Sequence, residues 1–322
     1  MRLPTNKCGL NIQSLKEYAE SLRATARHSL KNSNDSDIKQ LWRETASRNI
    51  NTDARLINGK PLQAVKKEIK LEYVAKSLNH VSSLSVQGIL VTAIIDVIKP
   101  SNIARWSTEV NNLPSTLFCF ARKALQQQLA TNANLHRWGK SQNPNCSLCG
   151  VAPLTNKHVL NNCGSPAALD RYKVRHDAAL HTICRWLSSV IDPSDTLHAD
   201  LPDSNYKPLD TLFKNLRPDI AIVKEKLIIL CELTIAHESN VINSKIYKRT
   251  KCATINSDLT INFLDYDVCL FTCELTSLGF ISDLTAFTEK LSIDVVPDSV
   301  YRQLVRSVIG NSYHVYRNRN NA

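Results

Sequence analysis

Residues 217–236 read RPDIAIVKEKLIILCELTIA. Two runs of β-branched and aliphatic residues, Ile220 to Val223 and Leu227 to Ile235, flank Lys224-Glu225-Lys226. Such runs around a short polar break predict a β-hairpin. With the turn centred on Glu225 and Lys226, the numbers of facing residues sum to 451. Ala221 then faces Leu230, Val223 faces Ile228, and Asp219 faces Glu232. Directly opposed side chains have Cβ atoms ~5 Å apart, and two like charges so placed repel unless a cation lies between them. Magnesium prefers carboxylate ligands, so a divalent ion is the expected occupant of the Asp219 and Glu232 pair.

Downstream of the hairpin the pattern alternates between helical and extended. Val241 to Cys252 predicts a helix, Tyr266 to Leu275 a strand, and Asp283 to Leu291 and Ser299 to Ile309 two further helices. Upstream, Pro193, Pro202 and Pro208 stand in a polar run without apolar periodicity, which predicts a linker over 193–208. Before that the period is helical over 11–31, 60–80 and Ser85 to Val97, where Pro100 stops it. It resumes from Pro114 to about Leu129 and from Ala167 to Val190. The fold class is α+β, with a helical region over 1–112, a module over 113–192, the linker, and an α/β domain over 209–322.

Within the middle module, Cys146 and Cys149 form a C-x-x-C followed by His158 and Cys163. Two thiolates on one tight turn take one edge of a tetrahedron, and the histidine and last cysteine take the opposite edge, which predicts a structural zinc ion. The loop is too short to fold by burial, so the metal would supply the folding free energy, on the order of 10 kcal/mol or more. The other seven cysteines lack such spacing and read as core or surface thiols.

Composition limits the function classes. A length of 322 residues with 43% apolar content suits one large or two ordinary domains. No window approaches the ~20 apolar residues of a spanning helix, so no membrane partner is expected and the chain reads as soluble and intracellular. A net charge of +11 points to an anionic polymer, nucleic acid first. Gly139-Lys140-Ser141 has Asn134 where a phosphate-binding loop needs its first glycine, which argues against a GTPase or kinase. Around the cysteines lie Arg122, Lys123, Arg137, Lys140, Lys157, Arg171, Lys173, Arg175 and Arg185, interleaved with Trp138, Tyr172 and Trp186. Basic residues that track phosphates beside rings that stack on bases would make a nucleic-acid surface.

Several blocks together resemble a known family. They are Leu113-Pro114, the run from Thr131 through Asn132, Asn134, Arg137 and Trp138 to Gly139-Lys140, Cys146 to Cys149-Gly150, His158-Val159-Leu160-Asn161, and Arg171-Tyr172 to Arg175-His176. This pattern is similar to the region after the polymerase in early-branching, site-specific non-LTR retrotransposon proteins, and Val86-Gln87-Gly88 resembles a shorter block upstream of it. The likeness covers about the last two thirds of the chain. It implies a zinc knuckle followed by a restriction-like endonuclease, in which Asp219 and Glu232 hold a catalytic magnesium ion. The simplest form of that nuclease motif has lysine two residues after the second acid, where this chain has Thr234. In the retrotransposon branch the lysine is displaced to the next helix, so Lys248 is the candidate, with Lys245 and Lys251 a turn away on either side.

The resemblance further implies nicking of target DNA for target-primed reverse transcription, contact with element RNA, nuclear localisation, and a reverse transcriptase encoded upstream. Leu264-Asp265-Tyr266-Asp267 is not the paired-aspartate turn of a polymerase palm. The alternative is a zinc-dependent nucleic-acid-binding protein whose nuclease fold is inactive, and a third reading is an interaction scaffold.

Overall fold

Side-chain caps open the first helices. Ser14 accepts the Glu17 N–H at the start of α1 (Leu15–Lys31), and Asp35 accepts the Asp37 and Ile38 N–H groups at the start of α2 (Ser36–Thr45). A third helix, α3, spans Leu62–Ser83. The structure, a computed structural model, describes residues 2–45, 59–202, 206, 217–262 and 265–321. It divides into two units, Met1–Leu84 and Ser85–Ala322. In the first, Ala24 of α1 packs with Val65 and Ile69 of α3, and the Tyr73 hydroxyl donates to Glu20 at 3.0 Å.

The second unit begins with α4 (Ile89–Val97) and α5 (Pro100–Asn111). Pro100, read above as a stop, also opens a helix: at the first position its missing N–H removes nothing and its fixed φ is already helical. Trp106 of α5 stacks on Phe280 at 3.9 Å between ring centres and donates its indole N–H to the Leu278 carbonyl at 2.6 Å. The expected boundary at 112 therefore falls inside this unit, because α5 is built into its core. Next come α6 (Ser115–Leu125), ended by the left-handed Gln127 at φ 57°, and α7 (Asn132–Arg137), which the helical period did not announce. The long α8 (Pro166–Val190) follows.

A four-stranded sheet runs in the order β1 (Thr196–Ala199), β2 (Ile220–Lys224), β3 (Leu227–Ala236), β4 (Asp267–Thr276). The first three are antiparallel and β4 is parallel to β3, a pairing that needs a crossover, supplied by α9 (Val241–Asn262). The fold is thus mixed α and β. The hairpin register is the one expected from the sequence, with Ala221 opposite Leu230 and Val223 opposite Ile228. Part of the expected linker is instead β1: Leu197, His198 and Ala199 are buried on the edge of the sheet, in a stretch free of proline. Beyond Pro202, apart from Tyr206, the linker and the start of the predicted domain at 209 lie outside the described residues.

Two helices finish the unit, α10 (Thr285–Lys290) and α11 (Asp298–Arg317). The last continues past Ile309, where the sequence pattern ended it, because Ser312 and Val315 extend its buried stripe. Among the described residues, no helix is long and apolar enough to cross a membrane.

Candidate functional site

The cysteine turn is shaped by its own backbone. The Gly150 N–H donates to the Cys146 carbonyl at 2.8 Å, and the Cys146 N–H to the Ala152 carbonyl at 2.9 Å. Gly150 sits at φ 70°, a conformation that carries no Cβ penalty in glycine. The N–H groups of Val151 and Ala152 bond the Cys149 sulfur and pull its thiol below the usual value, against the burial that opposes them. Burial pushes Cys146 up and pulls His158 down, which leaves the imidazole neutral, as a ligand must be.

The second pair of ligands depends on an unusual turn. His158 and Cys163 are five residues apart, more than one α-helical turn, and would point in different directions on an α-helix. Residues His158–Asn162 instead form a π-helical turn, wide enough to bring both onto one side. Cys146 Sγ lies 3.8 Å from Cys163 Sγ, and Cys149 Sγ lies 3.4 Å from His158 Nε2. All four ligand atoms fall within 4.8 Å of one another. Four bonds of about 2.0–2.3 Å to one tetrahedral ion would put neighbouring ligand atoms about 3.4–3.8 Å apart, so the donor set fits zinc in geometry and in softness.

Supporting contacts hold the knuckle to the helices. Asn132 of α7 donates to the Asn145 carbonyl at 2.7 Å, and Asn134 bonds the carbonyls of Gln127 and Leu129. The Cys163 N–H donates to the Tyr172 hydroxyl of α8 at 3.2 Å, and that hydroxyl lies 2.8 Å from the Val159 carbonyl. Such second-layer contacts orient the ligands.

The predicted acids and lysine also meet. Asp219 directly precedes β2, one residue beyond the end of the ladder, and its Oδ2 accepts the Leu233 N–H at 2.7 Å. Glu232 stands in β3. Lys248 reaches down from α9, with Nζ 2.6 Å from Glu232 Oε2 and 3.2 Å from Asp219 Oδ2. Lys245 lies 3.7 Å from Glu274 instead, and Lys251 is exposed.

His176 of α8 was not anticipated at this site. Its Nε2 lies 3.6 Å from Asp219 Oδ2, while its Nδ1 faces Asp177 at 3.2 Å. The only sequence signal for it was its place in the Arg171 to His176 block, where the neighbouring charges masked it.

Electrostatics divide the two acids. Burial acts to raise Asp219, but His176, Lys248 and the Leu233 N–H together hold it below the usual carboxylate range. Burial and the Asp219 charge push Glu232 up, against Lys248. Burial acts to lower Lys248 and His176, yet the adjacent carboxylates hold both above their ordinary values. Glu232 Oε1 is buried without a hydrogen-bond partner, and the Cys252 thiol, a weak donor, neighbours the carboxylate. Two converging carboxylates with an oxygen to spare suit a hard divalent cation that keeps several waters. Among the described residues, the Cys146, Cys149, His158 and Cys163 group is the one set of three or more such ligands that converges.

The expected basic surface needs correction at three positions. Arg122 is buried, its guanidinium packed over Trp106 and Phe118 and bonded to Asn111. Arg175 is 1% exposed, lies over Tyr172 and bonds Ser312 of α11; burial pulls it down to about 10. Arg171 commits both terminal nitrogens to the carbonyls of Asn318 and Asn321. These three arginines join α6 and α8 to their surroundings, because a helical face that is charged in sequence can still point at another element. Lys123, Arg137, Trp138, Lys140 and Lys173 are exposed, and Lys157 is half-buried.

Residues 96–168 match a protein-family model described as zinc-binding in reverse transcriptase. The knuckle, with its four ligands, fits a reverse-transcriptase-associated zinc-binding module. The match runs from the end of α4 to the first turn of α8 and stops short of the sheet. Among curated proteins none matches the chain.

Proposed function

We propose that this chain is the zinc-knuckle and restriction-like endonuclease portion of a site-specific non-LTR retrotransposon protein, which nicks target DNA so that the new end primes reverse transcription. The observation that carries the reading is Lys248: a lysine from the helix after β3 closes on both acids of the hairpin, at the displaced position that the resemblance implies. The zinc-binding match supports the reverse-transcriptase association.

In this reading Asp219 and Glu232 hold magnesium. When bound, the ion supplies positive charge opposite the scissile phosphate. Lys248 orients the attacking water, and His176 fixes the Asp219 carboxylate. The exposed Lys123, Arg137, Lys140 and Lys173, with Lys157, track phosphates. The partners are target DNA and element RNA, the place of action is the nucleus, and the polymerase lies upstream.

The test is nicking of supercoiled DNA with magnesium by the parent and by Asp219→Ala. Magnesium-dependent nicks from the parent alone support the reading, and equal products from both overturn it. One observation favours the rival, a binding module with an inactive nuclease fold: the Lys248 ammonium already bridges both acids. DNA binding without nicking under any divalent ion would select that rival.

A further inference from the structure

A cavity of about 460 Å³ opens between α6 and the loop that follows it, the end of α7 and the last turns of α11. Its size falls within the range of ligand pockets, ~300–1,000 Å³. Its walls are rich in rings. Phe120 forms the buried floor, with Tyr313 at 5.4 Å and Tyr316 at 5.7 Å between ring centres. Trp138 also lines the cavity and is 41% exposed. Lys123 and Arg317, both exposed, complete the rim, and none of the lining residues is acidic.

Each wall is anchored from behind. Trp138 caps α7, donating its backbone N–H to the Asn134 carbonyl at 2.9 Å, and α7 is tied to the zinc knuckle through Asn132 and Asn145. Arg319 fixes the end of α11, with one nitrogen on the Ala130 carbonyl and its guanidinium 4.4 Å from the Tyr316 ring centre. A large exposed indole held on a turn by the knuckle, rather than folded into the core, is poised to stack.

We propose that this cavity receives an unpaired base of single-stranded nucleic acid, stacked on Trp138 and the tyrosine wall, with its phosphates at Lys123 and Arg317. The proposal rests on the nucleic-acid-binding part of the reading above and gives it a location and a ligand class. Rings alone would suit any apolar ligand; a cationic rim without a single acid selects an anion with a flat face. Duplex bases are already stacked and do not enter such a pocket, so this site discriminates strandedness, whereas the exposed lysines elsewhere do not.

The experiment uses the full zinc-loaded chain with oligo(dT), oligo(rU) and a duplex of equal length. Trp138→Ala is expected to weaken binding of the single strand about tenfold or more, the effect of losing one stacking platform, while duplex binding is unchanged. Trp138→Phe restores most of the loss, and Arg317→Gln weakens the single strand at unchanged zinc content. Whether oligo(dT) or oligo(rU) shows the larger loss assigns the source as DNA or RNA. Equal losses on single strand and duplex, or a Trp138→Ala protein that binds like the parent, overturn the proposal. A parent that binds no oligonucleotide at all overturns the nucleic-acid function itself, a separate failure.

Discussion

The zinc knuckle takes its four ligands from eighteen consecutive residues, Cys146 to Cys163, whereas Asp219, Glu232, Lys248 and His176 come from the edge of β2, from β3, from α9 and from α8. The first centre is local and soft, and its geometry follows from backbone turns of a few residues. The second exists only once a hairpin, a crossover helix and α8 have packed together. Local centres stand or fall with their ion, while dispersed ones stand with the core and can lose function without losing structure. Helix α8 joins the two, since Tyr172 holds Cys163 and His176, one turn later, faces Asp219.

The largest effect is expected at the knuckle. Purified protein should carry about one zinc per chain, and Cys146→Ser with Cys149→Ser should remove it together with the order of the loop, since such sites contribute on the order of 10 kcal/mol. Elemental analysis and thermal melts check this. A double serine variant with the parent's melting profile would show that burial alone organises residues 146–163.

At the acid cluster, Asp219→Ala or Glu232→Ala should abolish nicking while DNA affinity holds, because neither change removes a positive charge. Melting should barely respond compared with the knuckle variants. Lys248→Ala should cost on the order of a hundredfold in nicking rate, in keeping with a positioned group. Lys251→Ala should cut like the parent, since Lys251 is exposed, and Lys245 faces Glu274. A dead Lys251 variant beside an active Lys248 variant would overturn the geometry of α9 over the sheet.

The two centres were also unequally legible. Ligand spacing alone exposed the knuckle, although it gave no hint of the π-helical turn that the five-residue step requires. The hairpin register followed from a turn centre, and it carried Asp219 to Glu232 because period two fixes facing residues. Lys248 needed the resemblance, since the helical pattern alone offers three lysines. His176 was hidden because a contact between α8 and β2 leaves no mark on either segment's periodicity. Pro100 shows the same limit from another side: one residue both stops α4 and starts α5, and only packing of Trp106 on Phe280 reveals the second role.

Charge on α8 gives a smaller and more selective contrast. Arg175→Gln should destabilise the protein by about 2 kcal/mol, the worth of a buried charged hydrogen bond, with the salt dependence of DNA binding unchanged. Lys173→Ala, two residues away and exposed, should leave stability within about 0.5 kcal/mol and lower the salt slope by about one. Denaturant titration and salt titration separate the two. A changed salt slope in the Arg175 variant would mean that this buried guanidinium reaches solvent on binding.

The smallest effect tests where the two centres touch. His237 follows β3 and is 3% exposed; burial holds its imidazole below the ordinary value, with the Glu238 charge opposing and Lys157 and Arg175 reinforcing. Lys157 belongs to the knuckle and Arg175 to α8, so both regions act on this one ring. A histidine with a lowered folded pKa is neutral in the folded protein and gains a proton more readily when unfolded. Its contribution to stability is therefore full above about pH 6.5, its unfolded value, and is lost as the pH falls through the lower folded value. Its Nδ1 also accepts the Ser239 N–H at 3.3 Å, so His237→Asn preserves a cap while removing the titration. Denaturant melts of parent and variant on the acid side of neutrality should converge as the pH falls, with zinc content measured at each pH to separate this loss from proton competition at the cysteines. A parent whose stability advantage over the variant grows on acidification would mean that His237 takes up its proton in the folded state, and that Glu238 rather than burial governs the ring.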